Sequence, residues 1–320
     1  MSGPTLTRTP QKQAEWKKIP EAMRALWRAC MPEDGGDVAR SLTINFIGIA
    51  PASDAAALNE AVDRLQRRTP CRAFLLLIDD SGTVGSGTVG TVGNADLAAT
   101  TRSHGSVRDI VLEEIVIRLP EAALGQMPGL VRPLLMNDLP NHLYWATRWP
   151  QKQTHFDALA HLCDHVVIDS RRFADPARDL RTVQERRARG QRLTDLSWLR
   201  LRPHRRALAE AFERVAWTPG MPTSGCVRHG RVSGAAAHLL ADWLGSRLAC
   251  RLELDPSGDA TSPCPDSVVL RTGGFEIELL TQHPQIRVHV TTPAHCYLPF
   301  AIPMSRGTDG DLLGAAIDMG

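Results

Sequence analysis

Short apolar runs alternate with amphipathic segments through the first half of the chain. Residues 41–50 and 72–78 are almost continuously apolar, which is typical of strands that are covered on both faces. Between them, Leu58, Val62 and Leu65 recur at the spacing of one helix face. A strand, a helix and a strand in this order predict a right-handed crossover between two parallel strands.

The same alternation continues up to residue 169. Two further strands are predicted over 141–146 and 165–169, and two helices over 127–136 and 156–162. Residues 107–119 alternate in two different phases, which predicts a β-bulge or two short strands. Together these segments predict an N-terminal three-layer α/β domain with a mostly parallel sheet.

A different pattern follows the Pro- and Gly-rich stretch at 218–225. Apolar positions over 239–248 have helical spacing, which predicts one helix. Period-two alternation then recurs in four stretches, at 248–254, 268–271, 275–280 and 286–290. Gly273-Gly274 and His283-Pro284 supply turn residues between the later stretches. This half is therefore predicted to be a C-terminal α+β domain, an antiparallel meander backed by one helix.

The length of the chain supports this division. A chain of 320 residues suits two domains, because single hydrophobic cores stop growing before that size. We predict an N-terminal tail and helix over 1–35, the α/β domain over 36–174 and the α+β domain over 175–320.

Composition and charge narrow the class of protein. The chain is 43% hydrophobic with a net charge of +2, so it can fill real cores and has no overall attraction to nucleic acid or membrane. No apolar run approaches the ~20 residues that a membrane helix needs. The seven cysteines lie far apart without a CxxC pair, which fits a reducing compartment. We predict a soluble cytoplasmic protein.

Two motifs suggest ligands but lack the context that each ligand requires. The repeat at 81–94 contains GxGxxG at 85–90, but no lysine lies between Lys18 and Lys152 and no helix opens after the repeat. We therefore expect a mobile loop rather than a nucleotide site, and no cofactor. His161 and His165 have the i, i+4 spacing of a metal pair, but a strand begins at once after His165. We predict no metal site and no catalytic residues.

Asp169 and Ser170 stand at the carboxyl end of a predicted buried strand, where α/β proteins often place their sites. The alternative is that Asp169 caps the backbone or pairs with Arg171 or Arg172. Thr223-Ser-Gly-Cys226 carries two possible nucleophiles in a predicted loop, with no base that the sequence identifies.

The strongest concentration of charge is a set of arginines in the second half of the chain: Arg186, Arg187, Arg189, Arg192, Arg200, Arg202, Arg205 and Arg206. Nucleic-acid binding would call for interleaved aromatic residues, and Trp198 is the one aromatic residue nearby. A solvated face or a protein contact suits this set better than nucleic acid.

Three segments form a more specific pattern. Residues 127–145 read MPGLVRPLLMNDLPNHLYW, residues 165–173 read HVVIDSRRF, and residues 195–206 read DLSWLRLRPHRR. Their order and spacing resemble the OpcA family of glucose-6-phosphate dehydrogenase assembly proteins, whose pattern is PLL..DLP..LW, then VDS..F, then DL.W.RL.PWR. The matching positions are Pro133, Asp138, Pro140, Trp145, Asp169, Ser170, Phe173, Asp195, Trp198, Arg200 and Pro203.

The resemblance covers about residues 38–290 and departs from the family pattern at His204, where the family usually has tryptophan. It implies a non-catalytic partner that assembles or allosterically activates glucose-6-phosphate dehydrogenase in the oxidative pentose phosphate pathway. The contact is expected to use aromatic residues such as Trp145, Trp149 and Trp198, with arginines at the rim; Trp145 and Trp198 have the alternative of being core residues. The competing hypothesis is a sugar-phosphate or nucleotide-binding α/β enzyme whose site is built from distant loops.

Overall fold

The structure, a computed structural model, describes residues 5–31, 38–79, 94–104, 107–150, 152–218, 221, 223–304 and 307–320. The chain divides into two compact units. The first unit consists of Met1–Ile168, Gln191–Thr194 and Thr308–Gly320, and the second of Asp169–Gly190 and Asp195–Gly307. The two units therefore interleave along the sequence, and the domain division near residue 174 stays a prediction.

The described residues contain strands and helices that are numbered here in chain order. The strands are β1 (Thr5–Arg8), β2 (Lys12–Glu15), β3 (Val38–Arg40), β4 (Ile44–Pro51), β5 (Cys71–Ile78), β6 (Asn94–His104), β7 (Val107–Leu119), β8 (Asn141–Trp145), β9 (His165–Ile168), β10 (Leu193–Asp195), β11 (Thr223–Arg228), β12 (Glu253–Asp255), β13 (Ser267–Thr272), β14 (Glu276–Gln282), β15 (Gln285–Thr291) and β16 (Phe300–Pro303). The helices are α1 (Ile19–Ala29), α2 (Ala55–Leu65), α3 (Met127–Val131), α4 (Gln153–Ala160), α5 (Pro176–Ala188), α6 (Leu196–Arg200), α7 (Arg202–Phe212), α8 (Gly234–Leu248) and α9 (Asp309–Ile317).

The first unit is built on a mostly parallel sheet, as predicted. Its central strands run in the order β7-β5-β4-β8-β9, and each neighbouring pair is parallel. Every residue of β4 from Ile44 to Ala50 is buried, so both faces of this strand are covered. The helix α2 connects β4 to β5 and buries Leu58, Val62 and Leu65, the three residues that predicted its apolar face.

One edge of this sheet is antiparallel and was not predicted. The strand β6 pairs with β7, and β1 pairs with β6 within the segment expected to be an N-terminal tail. Ala98, Ala99 and Thr100 are buried in β6, but such small residues produce no apolar periodicity that a sequence pattern can reveal. The predicted bulge is confirmed in β7, where Val111 is the extra residue between two registers. The predicted loop at 81–93 lies outside the described residues.

The second unit contains a six-stranded sheet in the order β12-β11-β13-β14-β15-β16. The antiparallel meander is confirmed over β13 to β15, and β16, a strand that was not predicted, continues it. Alternate residues such as Leu270, Ile277 and Val288 share one buried face, together with apolar residues of α7 and α8. The prediction of one backing helix was therefore wrong, because two helices pack on this sheet.

Two local predictions in the second unit were also wrong. Residues 223–226 were predicted to be a loop but belong to strand β11, which lies between β12 and β13. The stretch 248–254 is not one strand, because α8 continues to Leu248 and ends at Ala249 with a left-handed φ of 52°. The chain then enters the short strand β12 at Glu253.

Candidate functional site

The residues of the three motifs fall into two groups, one in each compact unit. The first-unit group precedes or belongs to β8: Pro133, Asp138, Pro140 and Trp145. The second-unit group extends from the residue after β9 to the first turn of α7: Asp169, Ser170, Phe173, Asp195, Trp198, Arg200 and Pro203.

Asp169 is the centre of a buried ion-pair network in the second unit. Its carboxylate is 0% exposed and accepts hydrogen bonds from Nε and Nη2 of Arg171 at 3.1 and 2.6 Å. Arg200 donates to the same carboxylate through Nη1 and Nη2 at 2.9 and 3.1 Å. Burial alone would raise the pKa of Asp169, but the charges of Arg200 and Arg171 outweigh burial and hold that pKa well below its usual value. Asp169 is therefore an anion that two guanidinium groups neutralise.

A second buried carboxylate belongs to Asp195, which has no positively charged hydrogen-bond donor among the described residues. It caps α6 by accepting a hydrogen bond from the backbone N–H of Ser197 at 2.9 Å. It also accepts from the backbone N–H of Ser170 at 3.3 Å. Burial raises the pKa of Asp195, the nearby charge of Asp169 adds to the rise, and hydrogen bonds from Ser170 and Ser197 oppose it.

These contacts join the second and third motifs into one structure. Asp169 and Arg200 are 31 residues apart, and Ser170 and Asp195 are 25 residues apart. We call Asp169, Ser170, Asp195 and Arg200 the aspartate clasp, because the two aspartates tie the turn at Ser170–Arg172 to α6. The alternative in which Asp169 caps the backbone and pairs with Arg171 is confirmed. Four of the seven motif residues of the second unit therefore have a structural role in the clasp.

Trp198 differs from the clasp residues because its side chain reaches the surface. It is half-buried in the middle of α6, between the capping residue Asp195 and the clasp residue Arg200. The guanidinium carbon of Arg205 lies 3.7 Å from the centre of the Trp198 ring, a cation–π contact. The ring of Trp243, also half-buried, meets Trp198 edge to face with centroids 6.4 Å apart.

Sequence reasoning did not assign a site role to Arg205 or Trp243. Arg205 was one arginine among many in the charged stretch, and Trp243 was read as part of the apolar face of α8. Arg205 lies seven residues after Trp198, in the next helix, and this short spacing is the one feature of the sequence that links them. That the two side chains contact each other is seen only in the fold. Of the remaining motif residues, Phe173 is buried and Pro203 is half-buried in the first turn of α7.

In the first unit, the exposed motif residues belong to one anchored surface segment. Pro133, Asp138 and Pro140 are all exposed. The backbone between them is fixed by buried Asn45, which donates through Nδ2 to the carbonyl of Met136 at 2.8 Å and accepts from the N–H of Met136 at 3.1 Å. Paired hydrogen bonds of this kind hold the segment in one conformation, so its exposed side chains are presented in fixed positions.

A buried charge supports the same segment from the neighbouring strands. Arg72 donates through Nη1 to the carbonyl of Leu134 at 2.6 Å. Its guanidinium also pairs with fully buried Glu113 at 2.6 Å, and Arg40 pairs with Glu113 at 2.8 Å. Neither Asn45 nor Glu113 was singled out from the sequence, because a polar residue inside a predicted strand gives no indication of its distant partners.

Trp145 and Trp149 lie in the core of the first unit. Trp145 is 1% exposed, donates through Nε1 to the carbonyl of Arg148 at 3.0 Å and packs edge to face on Phe156. Trp149 is buried against the same phenylalanine. Trp149 is therefore not the exposed contact residue that was expected, whereas for Trp145 the alternative of a core residue is correct; both rings pack on Phe156 of α4. Trp198 alone of the three reaches the surface.

The histidine pair of the sequence does not form a metal site. His161 is exposed at the end of α4, whereas His165 is buried in β9 and contacts Thr194 Oγ1 through Nε2 at 2.9 Å. Burial, with the neighbouring His142 and Arg192, lowers the pKa of His165 to about 4. In the part of the chain that the structure describes, no group of three or more His, Cys, Asp or Glu residues is arranged to hold a metal ion. The described helices include none that is long and apolar enough to cross a membrane.

The arginines of the charged stretch do not act as one group. Arg200 belongs to the clasp, Arg205 stacks on Trp198, and Arg206 pairs with Glu210 at 2.7 Å. Three arginines that are close in sequence therefore contact three different partners: a buried carboxylate, an aromatic ring and a carboxylate one helical turn away.

The solved structures to which this chain is similar include oxidoreductases, at a low level of similarity. A 3-ketoreductase from Actinomadura kijaniata, solved with NADP and TDP-benzene, is 11% identical with a TM-score of 0.47 over 87% of this chain and 88% of that one. An oxidoreductase from Erwinia carotovora atroseptica is 10% identical with a TM-score of 0.45, over 87% of this chain and 92% of that one. Similarity at this level gives no information about a cofactor or an activity of this chain.

Sequence relatives are found among cyanobacterial proteins. The OxPP cycle protein OpcA of Nostoc punctiforme is 28% identical over 188 residues, which are 58% of this chain and 39% of that protein. The OpcA protein of Synechocystis is 29% identical over 104 residues, 32% of this chain and 22% of its own length. This chain thus matches less than half of the length of these relatives.

Family models match both halves of the chain. Residues 62–185 match the model described as glucose-6-phosphate dehydrogenase subunit N-terminal domain, and residues 191–318 match the corresponding C-terminal domain. These two ranges include all eleven motif positions. The chain therefore belongs to the OpcA family of glucose-6-phosphate dehydrogenase assembly proteins.

Proposed function

We propose that this protein is a non-catalytic partner that binds glucose-6-phosphate dehydrogenase and assembles or activates it. The observation that carries this proposal is the match of both halves to family models that are described as a subunit of that dehydrogenase. A role in the oxidative pentose phosphate pathway agrees with the names of the sequence relatives.

The contacts of the motif residues support a partner role. Asp169 and Asp195 are the motif carboxylates with shifted pKa values. Both oxygens of Asp169 accept hydrogen bonds from Arg200, and Oδ1 of Asp195 accepts from the backbone, while Oδ2 of Asp195 is buried without a hydrogen-bond partner among the described residues. A general acid or base must reach the proton that it transfers, and these two buried groups instead hold α6 in position. The motif residues left at the surface include Trp198, Pro133 and Asp138, which are suited to contact rather than chemistry.

Activation by a partner has a simple thermodynamic form. A protein that binds the active conformation or oligomer of the dehydrogenase more tightly than the inactive one shifts the population toward activity. Linkage then requires the converse, so that substrates favouring the active state tighten the binding of the partner by the same factor.

The proposal is tested by titrating this protein into glucose-6-phosphate dehydrogenase from the same organism. The rate of coenzyme reduction is followed at sub-saturating glucose 6-phosphate. We expect a saturable change in rate that ends at a fixed molar ratio, and no turnover by this protein alone. An unchanged rate at every ratio, or turnover by this protein alone, would contradict the proposal.

A further inference from the structure

Trp198, at the centre of the third motif, is only partly covered by its own chain. Trp198 packs partly on the core of the second unit and partly faces outward, beside the half-buried ring of Trp243. Arg205 covers one face of the Trp198 ring and donates to the carbonyl of Trp198 at 3.4 Å. We call Trp198, Trp243 and Arg205 the tryptophan–arginine patch.

Arg205 lacks a counter-ion within the described chain. Its Nε is buried without a hydrogen-bond partner, and no described carboxylate lies within ion-pair distance. Burial lowers the pKa of Arg205, and the positive charge of Arg202 lowers it further. A cation that is partly desolvated, and repelled by a second cation, has unused capacity for a carboxylate.

The neighbouring arginine provides a contrast within the same helix. Arg206 is exposed and pairs with Glu210 one turn later, at 2.7 Å. Arg200 likewise has the carboxylate of Asp169. Arg205 thus differs from these two arginines, each of which has a carboxylate partner in its own chain.

The aspartate clasp holds the patch in place before any partner binds. Asp195 caps the N-terminus of α6 and Arg200 fixes its last residue to Asp169, so that α6 carries Trp198 in one orientation. Stacking on Trp198 also restricts the guanidinium of Arg205. Contact residues that are fixed in advance lose less conformational entropy on binding, and tryptophan and arginine are the types that dominate interface energetics.

We propose that the tryptophan–arginine patch is the surface on which a segment of glucose-6-phosphate dehydrogenase docks, placing a carboxylate on Arg205 and an apolar side chain against the outward-facing parts of the Trp198 and Trp243 rings. This inference rests on the proposed function and specifies the surface and the chemistry of the partner segment. The patch supplies the aromatic centre and the cation, and the dehydrogenase supplies the anion and the apolar group.

The test compares two neighbouring arginines. Purified wild type, Arg205→Gln and Arg206→Gln are titrated against immobilised dehydrogenase from the same organism, after equal melting temperatures have shown that each variant is folded. We expect Arg205→Gln to weaken binding by about tenfold or more, because a desolvated charge pair is lost. Arg206→Gln removes an exposed charge and should change the affinity by less than about threefold.

Two further variants examine the aromatic part of the patch. Trp243→Ala should weaken binding by about tenfold or more, as truncation of a central interface tryptophan does. Leu298→Ser is the control, since Leu298 is 86% exposed in the same unit and outside the patch, and its affinity should equal that of the wild type. If Trp243→Ala does not fold, the two arginine variants decide the matter.

The outcomes separate this proposal from the proposed function. Wild-type binding that Arg205→Gln and Trp243→Ala leave intact overturns the docking surface, while the partner role stands. Equal losses for Arg205→Gln and Arg206→Gln also overturn it, because they would show a general attraction between charges. Absence of wild-type binding overturns both proposals.

Discussion

The aspartate clasp makes a quantitative prediction about stability. In Asp169→Asn the amide keeps one acceptor, but the charge that neutralises Arg171 and Arg200 is lost. The side chain of Arg200 is 7% exposed and that of Arg171 is 20% exposed, so Arg171 can turn toward water more easily than Arg200. Removing one partner of a buried ion pair lowers the free energy of unfolding by about 3–5 kcal/mol. Because Arg171 can regain contact with water, we expect a loss near the lower end of this range, about 3 kcal/mol, for Asp169→Asn.

A matched control isolates burial as the cause. Arg271 and Glu276 form an ion pair in the same unit at 2.6 Å, the same distance as the shortest Arg171–Asp169 contact, but the Glu276 side chain is 45% exposed. Glu276→Gln should therefore lower the free energy of unfolding by less than about 1 kcal/mol, because an ion pair that is exposed to water contributes little to stability.

The assay is denaturant unfolding of the wild type, Asp169→Asn and Glu276→Gln, which is followed by tryptophan fluorescence. The unfolding transition of the second unit is compared among the three proteins.

The pKa of Asp169 is lowered by folding, so its contribution to stability is present above the unfolded value of about 3.9 and is lost as the pH falls through the folded value. The difference between wild type and Asp169→Asn should thus be constant from about pH 5 to 8. Equal costs for Asp169→Asn and Glu276→Gln would refute the reasoning from burial.

Three further predictions concern other buried polar groups. Folding raises the pKa of Asp195, so Asp195→Asn, which keeps the cap, should be at least as stable as wild type at pH 7, with an advantage that vanishes below about pH 4 in urea unfolding. Folding lowers the pKa of both His165 and its neighbour His142, so the first unit should lose stability as the pH falls from about 6.5 toward 4, and His165→Gln should reduce that dependence in thermal melts while His142 retains its share. Asn45→Ala should cost about 1–3 kcal/mol and speed deuterium exchange at the Met136 amide, whereas unchanged exchange would contradict the anchoring role of Asn45.

The elements that the sequence predicted well are those in which one local pattern determines the structure. The strands β4 and β5 are almost continuous apolar runs buried on both faces, and the meander of β13 to β15 alternates with period two against one buried face. In both cases the positions that are apolar in the sequence are the positions that are buried in the structure, so the local pattern is enough to predict the element.

The strands that were missed have a local sequence that resembles a loop. In β11, Gly225 looks like a turn residue, but a Cβ there would lie 2.4 Å from the carbonyl oxygen of Val269 on the paired strand. Glycine is needed for the close approach of two strands, and a sequence pattern cannot distinguish that need from a turn. In β6 the buried residues are alanine and threonine, which carry too little apolar contrast to mark a face.

The candidate site could be located from the sequence but its internal roles could not. The resemblance selected Asp169, Asp195, Trp198 and Arg200 together, yet it gave no means of telling a buried clasp from a surface contact. That distinction depends on pairs 25 and 31 residues apart and on the stack of Arg205 over Trp198, all of which arise from tertiary packing.

The proposal that this protein binds glucose-6-phosphate dehydrogenase selectively in its active state is best tested by measuring the mass of the complex. Mixtures of the two proteins are measured by native mass spectrometry with and without glucose 6-phosphate and coenzyme. We expect a complex of fixed stoichiometry whose population rises when the substrates are present. A mixture that shows only the separate proteins under both conditions would contradict it.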